Sequence, residues 1–322
     1  MYHIIINPAS RSGRGMQIWK SLIPILEENK IRYYAYFTKY CGHATMITDT
    51  IFTMNPSAQE LQFIVLGGDG TLNEVIQAIQ KSEQTTIGYI PTGSSNDFAR
   101  DLGIASTPSE ALRNIINKQA IKSLNIGLLT YINTNDIKAS QHGLISNSER
   151  RLFSVSSGIG FDAAVCKKAM DSTMKNILNH IGLGKLTYLS IALTKLLTRK
   201  SVSCDIYLDD KEPIHYDELL FATAMIHKYE GGGFMFCPQA NATDHLLDLC
   251  VAHHISIGRA LKILPLAFKG KHISFPEVAI HRAHTIRLRA DTPLFVHTDG
   301  EVTTYTKEIL WQSFYKNLTF IY

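Results

Sequence analysis

The sequence has no run of apolar residues that could cross a membrane, since such a span needs about 18 of them in succession. The chain begins MYHIIINPAS, where only three isoleucines adjoin and no charged leader precedes them, so no signal peptide is predicted. The five cysteines form no C-x-x-C pair and are odd in number, which argues against a disulfide framework and a zinc site. These absences predict a protein of the reducing cytoplasm.

Charge is also scarce, because 19% of the 322 residues are charged and the net charge is +4. This weak basic balance does not indicate a nucleic-acid partner, although it is compatible with an anionic substrate or an anionic membrane surface. The thirteen histidines include no H-E-x-x-H motif, and we interpret them as structural or surface residues. A chain of this length with 45% hydrophobic residues is long enough for two globular domains.

The strongest signal is the stretch Leu61 to Val75, LQFIVLGGDGTLNEV. A buried strand runs directly into Gly67-Gly68-Asp69-Gly70 and then into a helix opening at Thr71, where Thr71 and Glu74 fit a T-x-x-E capping box. Closely spaced glycines let the backbone approach a ligand, and a helix N-terminus favours an anion. The layout predicts a phosphate-binding turn, and the alternative is a strand-to-helix turn without a ligand.

Two other nucleotide motifs are excluded by their missing residues. A Walker A loop ends in Gly-Lys-Ser/Thr, and no lysine occurs between Gly67 and Gln80. A Rossmann fingerprint requires a third glycine where Asn73 stands.

Two further predicted strands end in comparable loops. His3 to Asn7 leads into a loop that carries Arg11 and Arg14, and Ile87 to Ile90 leads into Pro91 to Asp97. The carboxyl ends of parallel strands share one edge of a sheet, where ligands bind. The first part of the chain therefore predicts an α/β domain with an open, mostly parallel sheet.

From about Leu128 the pattern changes to short β-like runs, which predict a mainly β, sandwich-like second domain. Residues 132–150 are polar and predict a loop. Near the end, Asp299-Gly300 between extended runs is typical of a hairpin turn. Asp299 and Glu301 nevertheless place two carboxylates close together, a pair that can supply a general base or hold a metal.

Leu186 to Lys200 has leucines at helical spacing with lysines and an arginine around them. Such a basic amphipathic helix can lie on an anionic bilayer, or it can pack on its own domain. Leu261 to Lys271 raises the same question.

Six ordered motifs resemble those of the bacterial diacylglycerol kinase and related lipid kinase family, whose catalytic domain is shared with sphingosine kinase and, more distantly, with NAD kinase. The motifs are NPASRSGRG (Asn7 to Gly15), GGDGTLNEV (Gly67 to Val75), GSSNDFAR (Gly93 to Arg100), SSGIGFDAAV (Ser156 to Val165), GGGFMFCPQANATD (Gly231 to Asp244) and DGE (Asp299 to Glu301).

The resemblance implies an ATP-binding α/β domain over residues 1–128 with 305–322, and a β-rich lipid-substrate domain over 129–304, with a cleft between them. It also implies roles for individual residues. ATP contacts would fall on Asn7, Thr38, Gly67, Gly68, Asp69, Gly70, Thr71, Leu72, Asn73 and Ser94. The base that deprotonates the acceptor would be Asp299 or Glu301, with Asp69 as the rival carboxylate. A structural magnesium ion would be bound by Asp244 with the carbonyls of Asn241 and Leu246.

The activity implied by the resemblance is ATP- and magnesium-dependent phosphorylation of a lipid hydroxyl, with diacylglycerol giving phosphatidic acid. Alternatives are a kinase of another lipid alcohol, such as a sphingoid or a phosphatidylglycerol-like lipid, a soluble-acceptor kinase of the NAD kinase type, and a catalytically silent nucleotide-binding regulator. The expected location is cytoplasmic with peripheral membrane contact, without a nucleic-acid partner. The oligomeric state stays open between a monomer and a homodimer. Three residues beside the expected sites depart from the family pattern, with Ser94 in place of threonine, Thr243 in place of a frequent acidic residue and His245 in place of glycine.

Overall fold

The computed structural model describes residues 1–56, 60–79, 85–132, 150–171, 201–313 and 318–322. Most of the predicted loop at 132–150 and the whole predicted helix Leu186 to Lys200 lie outside these residues. The chain divides into two compact units, which are Met1–Ile126 with Tyr315–Tyr322 (unit 1) and Gly127–Phe314 (unit 2). Within the described ranges, no helix combines the length and the apolarity that crossing a membrane requires.

Unit 1 alternates strands and helices, numbered here in chain order. Its elements are β1 (Tyr2–Ile6), α1 (Ser10–Gly13), α2 (Gly15–Glu28), β2 (Tyr33–Phe37), α3 (His43–Met54), β3 (Leu61–Gly67), α4 (Asp69–Ile79), β4 (Thr85–Pro91), α5 (Asp97–Leu102), α6 (Pro108–Ile116), β5 (Ile121–Leu124) and, from the end of the chain, β16 (Leu318–Ile321).

The sheet of unit 1 has the strand order β2-β1-β3-β4-β16-β5, and all its neighbouring pairs are parallel except β16 with β5. The central strand β3 is apolar at nearly every position because helices cover such a sheet on both faces. On one side, Trp19, Leu22 and Leu26 of α2 pack in a cluster with Ile4 and Ile64 of the sheet. The predicted open parallel α/β domain is confirmed.

Unit 2 is built mainly from antiparallel strands. Its described elements are β6 (Gly127–Ile132), β7 (Arg150–Phe153), β8 (Ser156–Gly160), α7 (Phe161–Asp171), β9 (Cys204–Leu208), β10 (Ile214–Tyr216), β11 (Leu219–Met225), β12 (Leu247–His253), α8 (Ile257–Ala267), a 3₁₀ turn (Lys271–Ser274), β13 (Val278–Ala283), β14 (Thr285–Thr298) and β15 (Glu301–Ser313).

The sheet of unit 2 runs in the order β13-β12-β11-β8-β14-β15-β6-β7, and β9 joins β14 and β10 beside this path. The predicted mainly β second domain is confirmed. The return of the chain to unit 1 begins later than residue 305, because residues 301–313 form the single strand β15, which pairs with β14 and β6. The short β8 lies between β11 and β14, and this position sets the geometry of one candidate site.

Candidate active site

Loops of unit 1 gather at the carboxyl ends of its parallel strands. The backbone N–H of Asn7 donates to the carbonyl of Leu66 (2.9 Å), and the N–H of Thr92 donates to the carbonyl of Gly67 (2.7 Å). Thr38 stands at the end of the neighbouring strand β2. The expected nucleotide contacts that follow β1, β2 and β3 therefore lie along one edge of the sheet, the edge where open α/β folds bind ligands.

Gly68 and Gly93 bring the loops after β3 and β4 into backbone contact. A Cβ atom on Gly93 would lie 2.7 Å from Gly68 Cα and 2.8 Å from Asn96 Oδ1. Asn96 fixes the second loop, since its Oδ1 accepts from the Gly93 N–H (2.9 Å) and its Nδ2 donates to the Gly93 carbonyl (3.0 Å). Ser94 follows directly and is exposed. Glycine at both positions lets the two loops approach each other this closely.

The helix α4 begins at Asp69 rather than at Thr71, and the predicted capping box is wrong. The Thr71 hydroxyl accepts from Asn7 Nδ2 (3.0 Å), which ties α4 to the loop after β1. The Glu74 carboxylate accepts from the backbone N–H of Ala44 (3.0 Å) in the first turn of α3. Both side chains fit the capping pattern in sequence, but each accepts a hydrogen bond from a residue that is far away along the chain.

Leu72 and Asn73 are fully buried in α4. The Leu72 N–H donates to the Gly68 carbonyl (3.1 Å), and Asn73 Oδ1 accepts from Gln77 Nε2 (3.0 Å). Among the expected ATP contacts from Gly67 to Asn73, only the segment Gly68 to Gly70 is partly exposed. This segment lies at the start of α4, and the first turn of a helix has free N–H groups that favour an anion.

Asp69 is fixed from two directions. Its Oδ1 accepts from the Tyr89 hydroxyl (3.2 Å) on β4, and its Oδ2 accepts from the Asp97 N–H (2.9 Å) at the start of α5. The Asp97 carboxylate in turn accepts from Arg100 (2.6 Å). Burial, together with the charge of Asp69, raises the pKa of Tyr89 well above its ordinary value, so this phenol stays a donor to Asp69.

The loop after β1 has an unusual backbone. Arg11 and Ser12 have φ angles of 51° and 57°, in the left-handed region. The adjacent Ser10 is buried, and its hydroxyl accepts from the Thr92 hydroxyl (2.9 Å). Arg11 and Arg14 are exposed on this loop, and guanidinium groups in such a position suit phosphate oxygens.

In unit 2, Asp299 and Gly300 form the two-residue turn between β14 and β15, with φ angles of 47° and 81°. The predicted hairpin is confirmed, because left-handed conformations at both positions match a type I′ turn. The Asp299 carboxylate has four donors on one neighbouring segment. Its Oδ2 accepts from the Ser154 N–H and hydroxyl (both 2.8 Å), and its Oδ1 accepts from the N–H groups of Val155 (2.8 Å) and Ser156 (3.0 Å).

Glu301 opens β15 and forms an ion pair with Arg151 of β7. The guanidinium of Arg151 is nearly buried and also donates through Nε to the Thr298 hydroxyl (2.7 Å). The side chain of Glu301 is 19% exposed. Arg151 therefore orients a carboxylate that keeps access to solvent, and sequence reasoning missed it because the pairing is far from local.

A buried group of three titratable residues lies directly beneath this turn. His297 Nε2 is 3.1 Å from Asp162 Oδ2 and 3.2 Å from Glu230 Oε1. The backbone nitrogen of Gly300 lies 3.3 Å from His297 Nδ1, while Nε2 faces the two carboxylates. Burial opposes a charge on the ring, but Glu230 and Asp162 outweigh it and raise the pKa of His297 well above its ordinary value. The charged ring therefore places a proton on Nε2, between the two carboxylates.

Gly158 makes room for that group. It pairs with His297 on β14 and with Thr223 on β11, so these positions share one face of the sheet. A Cβ on Gly158 would lie 1.9 Å from Asp162 Oδ2 and 2.5 Å from His297 Nε2. The sequence run S-S-G-I-G-F-D contains Gly158 and Asp162, four residues apart, but His297 and Glu230 come from distant parts of the chain.

The expected magnesium ligands lie in the turn before β12. Asp244 Oδ1 accepts from the Leu246 N–H (3.0 Å), and its Oδ2 contacts the guanidinium of Arg282. The Asn241 carbonyl accepts from the Asp244 N–H (3.4 Å). The ligands that the resemblance implies, one carboxylate and two backbone carbonyls, are all oxygen, the donor type that suits Mg²⁺.

Asp248, next to this turn, is a second carboxylate and is buried. Both of its carboxylate oxygens are buried without a hydrogen-bond partner among the described residues, although Arg282 Nε lies 3.2 Å away at ion-pair distance. Burial raises the pKa of Asp248 to about 6, while Arg282 opposes the shift and Asp244 adds to it. His245 has a φ of 62°, so the turn keeps the backbone shape that glycine would favour.

Comparisons with known proteins agree with this architecture. Residues 1–128 match the model of the diacylglycerol kinase catalytic domain, and residues 154–309 match the YegS C-terminal NAD kinase beta sandwich-like domain. A Bacillus subtilis protein with the provisional name lipid kinase YtlR is 25% identical over 301 residues, which cover 94% of this chain and 93% of that protein.

Solved structures share the fold. A diacylglycerol kinase from Bacillus anthracis aligns with a TM-score of 0.69 at 20% identity, over 100% of this chain and 96% of that one. An NAD kinase from Archaeoglobus fulgidus in complex with ATP aligns with a TM-score of 0.52 at 11% identity, over 100% and 94% of the two chains. Because the two domain models together span most of the sequence in the expected order, the chain belongs to the bacterial diacylglycerol kinase and lipid kinase family.

Proposed function

We propose that this protein transfers the γ-phosphoryl group of ATP to a lipid hydroxyl, with diacylglycerol as the acceptor and phosphatidic acid as the product. The observation that carries the proposal is the backbone contact of Gly68 with Gly93, which joins two glycine loops at the carboxyl edge of a parallel sheet. Phosphoryl transfer depends on positioning and on neutralising charge more than on covalent catalysis. Loops of this kind, with a helix N-terminus behind them, supply the positioning of the phosphates.

We assign the general base to Glu301. The Asp299 carboxylate accepts four hydrogen bonds from residues 154–156, and Asp69 accepts from Tyr89 and Asp97 through both of its oxygens. These two carboxylates hold their loops in place. Glu301 is oriented by Arg151 while part of its side chain stays exposed, as a base that must reach a substrate hydroxyl requires.

Magnesium enters the proposal in two places. Bound to ATP, it neutralises phosphate charge during transfer. A second, structural ion is assigned to Asp244 with the carbonyls of Asn241 and Leu246, where it would supply positive charge beside Asp248. Arg282 contacts both Asp244 and Asp248 and also supplies positive charge beside them. Because ATP is a cytoplasmic substrate and the acceptor is a lipid, we place the protein on the cytoplasmic face of a membrane.

The direct test is incubation of the purified chain with labelled ATP, magnesium and diacylglycerol in mixed micelles, followed by separation of the lipids. Labelled phosphatidic acid is expected. Phosphorylation of a different lipid alcohol in a panel would change the named acceptor. Labelled NADP in a parallel incubation with NAD would favour a soluble-acceptor kinase. ATP binding without any labelled product would favour a silent regulator.

The role of Glu301 is tested with Glu301→Gln, which we expect to lower turnover by about a hundredfold or more with ATP affinity kept, the usual share of general-base catalysis. The matched control is Glu308→Gln, because Glu308 lies on the same strand and also pairs with an arginine, Arg287. Equal turnover in the Glu301 variant and the parent would contradict the assignment.

A further inference from the structure

Exposed apolar side chains are concentrated on one segment of unit 2. In the described part of this unit, the large hydrophobic side chains that remain exposed are Ile257 (41%), Leu261 (50%), Phe268 (45%) and Ile273 (38%). All four fall between the start of α8 and the end of the 3₁₀ turn that follows it, with Phe268 as the residue that caps α8. Scattered single apolar residues are normal on a protein surface, but a contiguous group of them marks an interaction site.

The helical geometry places three of these side chains on one face. At about 100° per residue, Ile257, Leu261 and Phe268 fall within roughly 40° of one another around the axis of α8. Ile263 and Ala267 are buried on another side of the helix, and Ile263 packs in the core cluster beneath it. The helix thus has one apolar side for its own domain and a second apolar side toward solvent.

This outer surface is held firmly in place. The ring of Phe268 stacks on Phe234 with centroids 4.1 Å apart. Arg259 forms a two-point ion pair with Glu277 through Nε (2.6 Å) and a terminal nitrogen (3.1 Å). The exposed apolar side chains therefore belong to a fixed helix, and they need no rearrangement to meet a partner.

The charge of the segment has one sign. No aspartate or glutamate occurs between Ile255 and Pro276, whereas the same stretch contains Arg259 and three lysines. Arg259 is paired with Glu277, which leaves the lysines to set the charge of the surface. These exposed lysines are Lys262, Lys269 and Lys271.

We propose that the outer face of residues 257–273 lies on an anionic bilayer. Apolar side chains enter the headgroup boundary, and the long lysine side chains reach lipid phosphates beside them. A second copy of the chain fits this face less well, because two such surfaces would bring their lysines together without an acid to pair them. The proposal rests on the proposed function, since an enzyme that phosphorylates a bilayer lipid must reach the membrane surface.

The test is co-sedimentation of the full chain with vesicles, without ATP. We expect binding to phosphatidylcholine vesicles that contain phosphatidylglycerol, and much weaker binding to phosphatidylcholine alone. The double variant Ile257→Glu/Leu261→Glu should lose binding to the anionic vesicles by about tenfold or more, since two apolar side chains no longer leave water. The matched control is Met54→Glu, a change at a 75% exposed apolar residue of unit 1, and it should bind like the parent.

Charge is tested separately with the triple variant Lys262→Gln/Lys269→Gln/Lys271→Gln. This variant should bind anionic vesicles more weakly than the parent, and the binding that remains should no longer depend on the salt concentration. Unchanged vesicle binding in the double variant would overturn the proposal. It would also be overturned if the parent is a dimer in solution and the double variant is a monomer that still binds vesicles like the parent. Vesicle binding without kinase activity would contradict the proposed function alone, and activity on micellar lipid without vesicle binding would contradict this inference alone.

Discussion

The backbones of Gly68 and Gly93 touch, so that a single added methyl group at residue 93 would lie 2.7 Å from Gly68 Cα. We expect Gly93→Ala to push the two loops apart and to weaken ATP binding by about tenfold to a hundredfold, because small displacements at such sites are costly. Isothermal titration calorimetry measures the change.

The matched control for this substitution is Gly258→Ala. A Cβ on Gly258, in the first turn of α8, would meet no atom within 4 Å. This variant should bind ATP like the parent and should be more stable by roughly 0.5–1 kcal/mol, the usual gain from alanine in a helix. Equal ATP affinity in the two variants would show that loop contact is irrelevant to the nucleotide.

Arg151 should matter for turnover through Glu301. Arg151→Lys keeps the positive charge but cannot contact Glu301 and Thr298 together as the guanidinium does. We expect turnover to fall by about tenfold or more with little change in ATP affinity, since the base loses its orientation. Steady-state kinetics on micellar diacylglycerol measures both. Arg287→Lys, at the ion pair with Glu308 on the same hairpin, should leave turnover near that of the parent.

Asp299 should matter for stability. Asp299→Asn replaces an acceptor of four hydrogen bonds with an amide whose NH₂ group faces donors. The free energy of unfolding should fall by about 3 kcal/mol, on the order of one or two hydrogen bonds to a charged group. Urea denaturation gives the value. Asp210→Asn, at an exposed turn residue, serves as the control and should change stability little.

His297 should make the stability depend on pH. The two carboxylates raise the pKa of His297 in the folded state above its ordinary value of 6.5, against the effect of burial. Its charged form then stabilises the fold fully below a pH of about 6.5, and this contribution is lost as the pH rises through the raised pKa. The melting temperature of the parent should therefore exceed that of His297→Gln most at about pH 6, with a difference that narrows toward about pH 9.

The control for His297 is His215→Gln. His215 is exposed and contacts Asp205 and Asp217, so solvent screens its charge. Its effect on the melting temperature should be small at every pH. A constant difference between the parent and His297→Gln over the same range would show that the ring does not change charge there.

Local patterns in the sequence predicted the features that local physics decides. The apolar run from Leu61 to Leu66 became a buried central strand because a parallel sheet is covered on both faces. Asp299-Gly300 became a hairpin turn because both residues accept left-handed backbone. These outcomes need no knowledge of distant residues.

The features that were missed depend on tertiary contacts. Nothing near Glu301 indicates Arg151, and nothing near His297 indicates Glu230, because each pair meets only through the order of strands in the sheet. The capping box at Thr71 and Glu74 failed for the same reason, since their oxygens accept from Asn7 and Ala44. The apolar face of α8 was visible in its composition, but only burial shows which side of the helix faces solvent.

The position of β16 has a consequence for how the protein is made. This strand, which follows unit 2 in the chain, lies between β4 and β5, so the sheet of unit 1 stays divided until unit 2 has been synthesised. A ribosome-bound chain would carry two unpaired strand edges through the synthesis of all of unit 2. A fragment of residues 1–126 would keep those edges permanently, and we expect it to aggregate where the full chain folds.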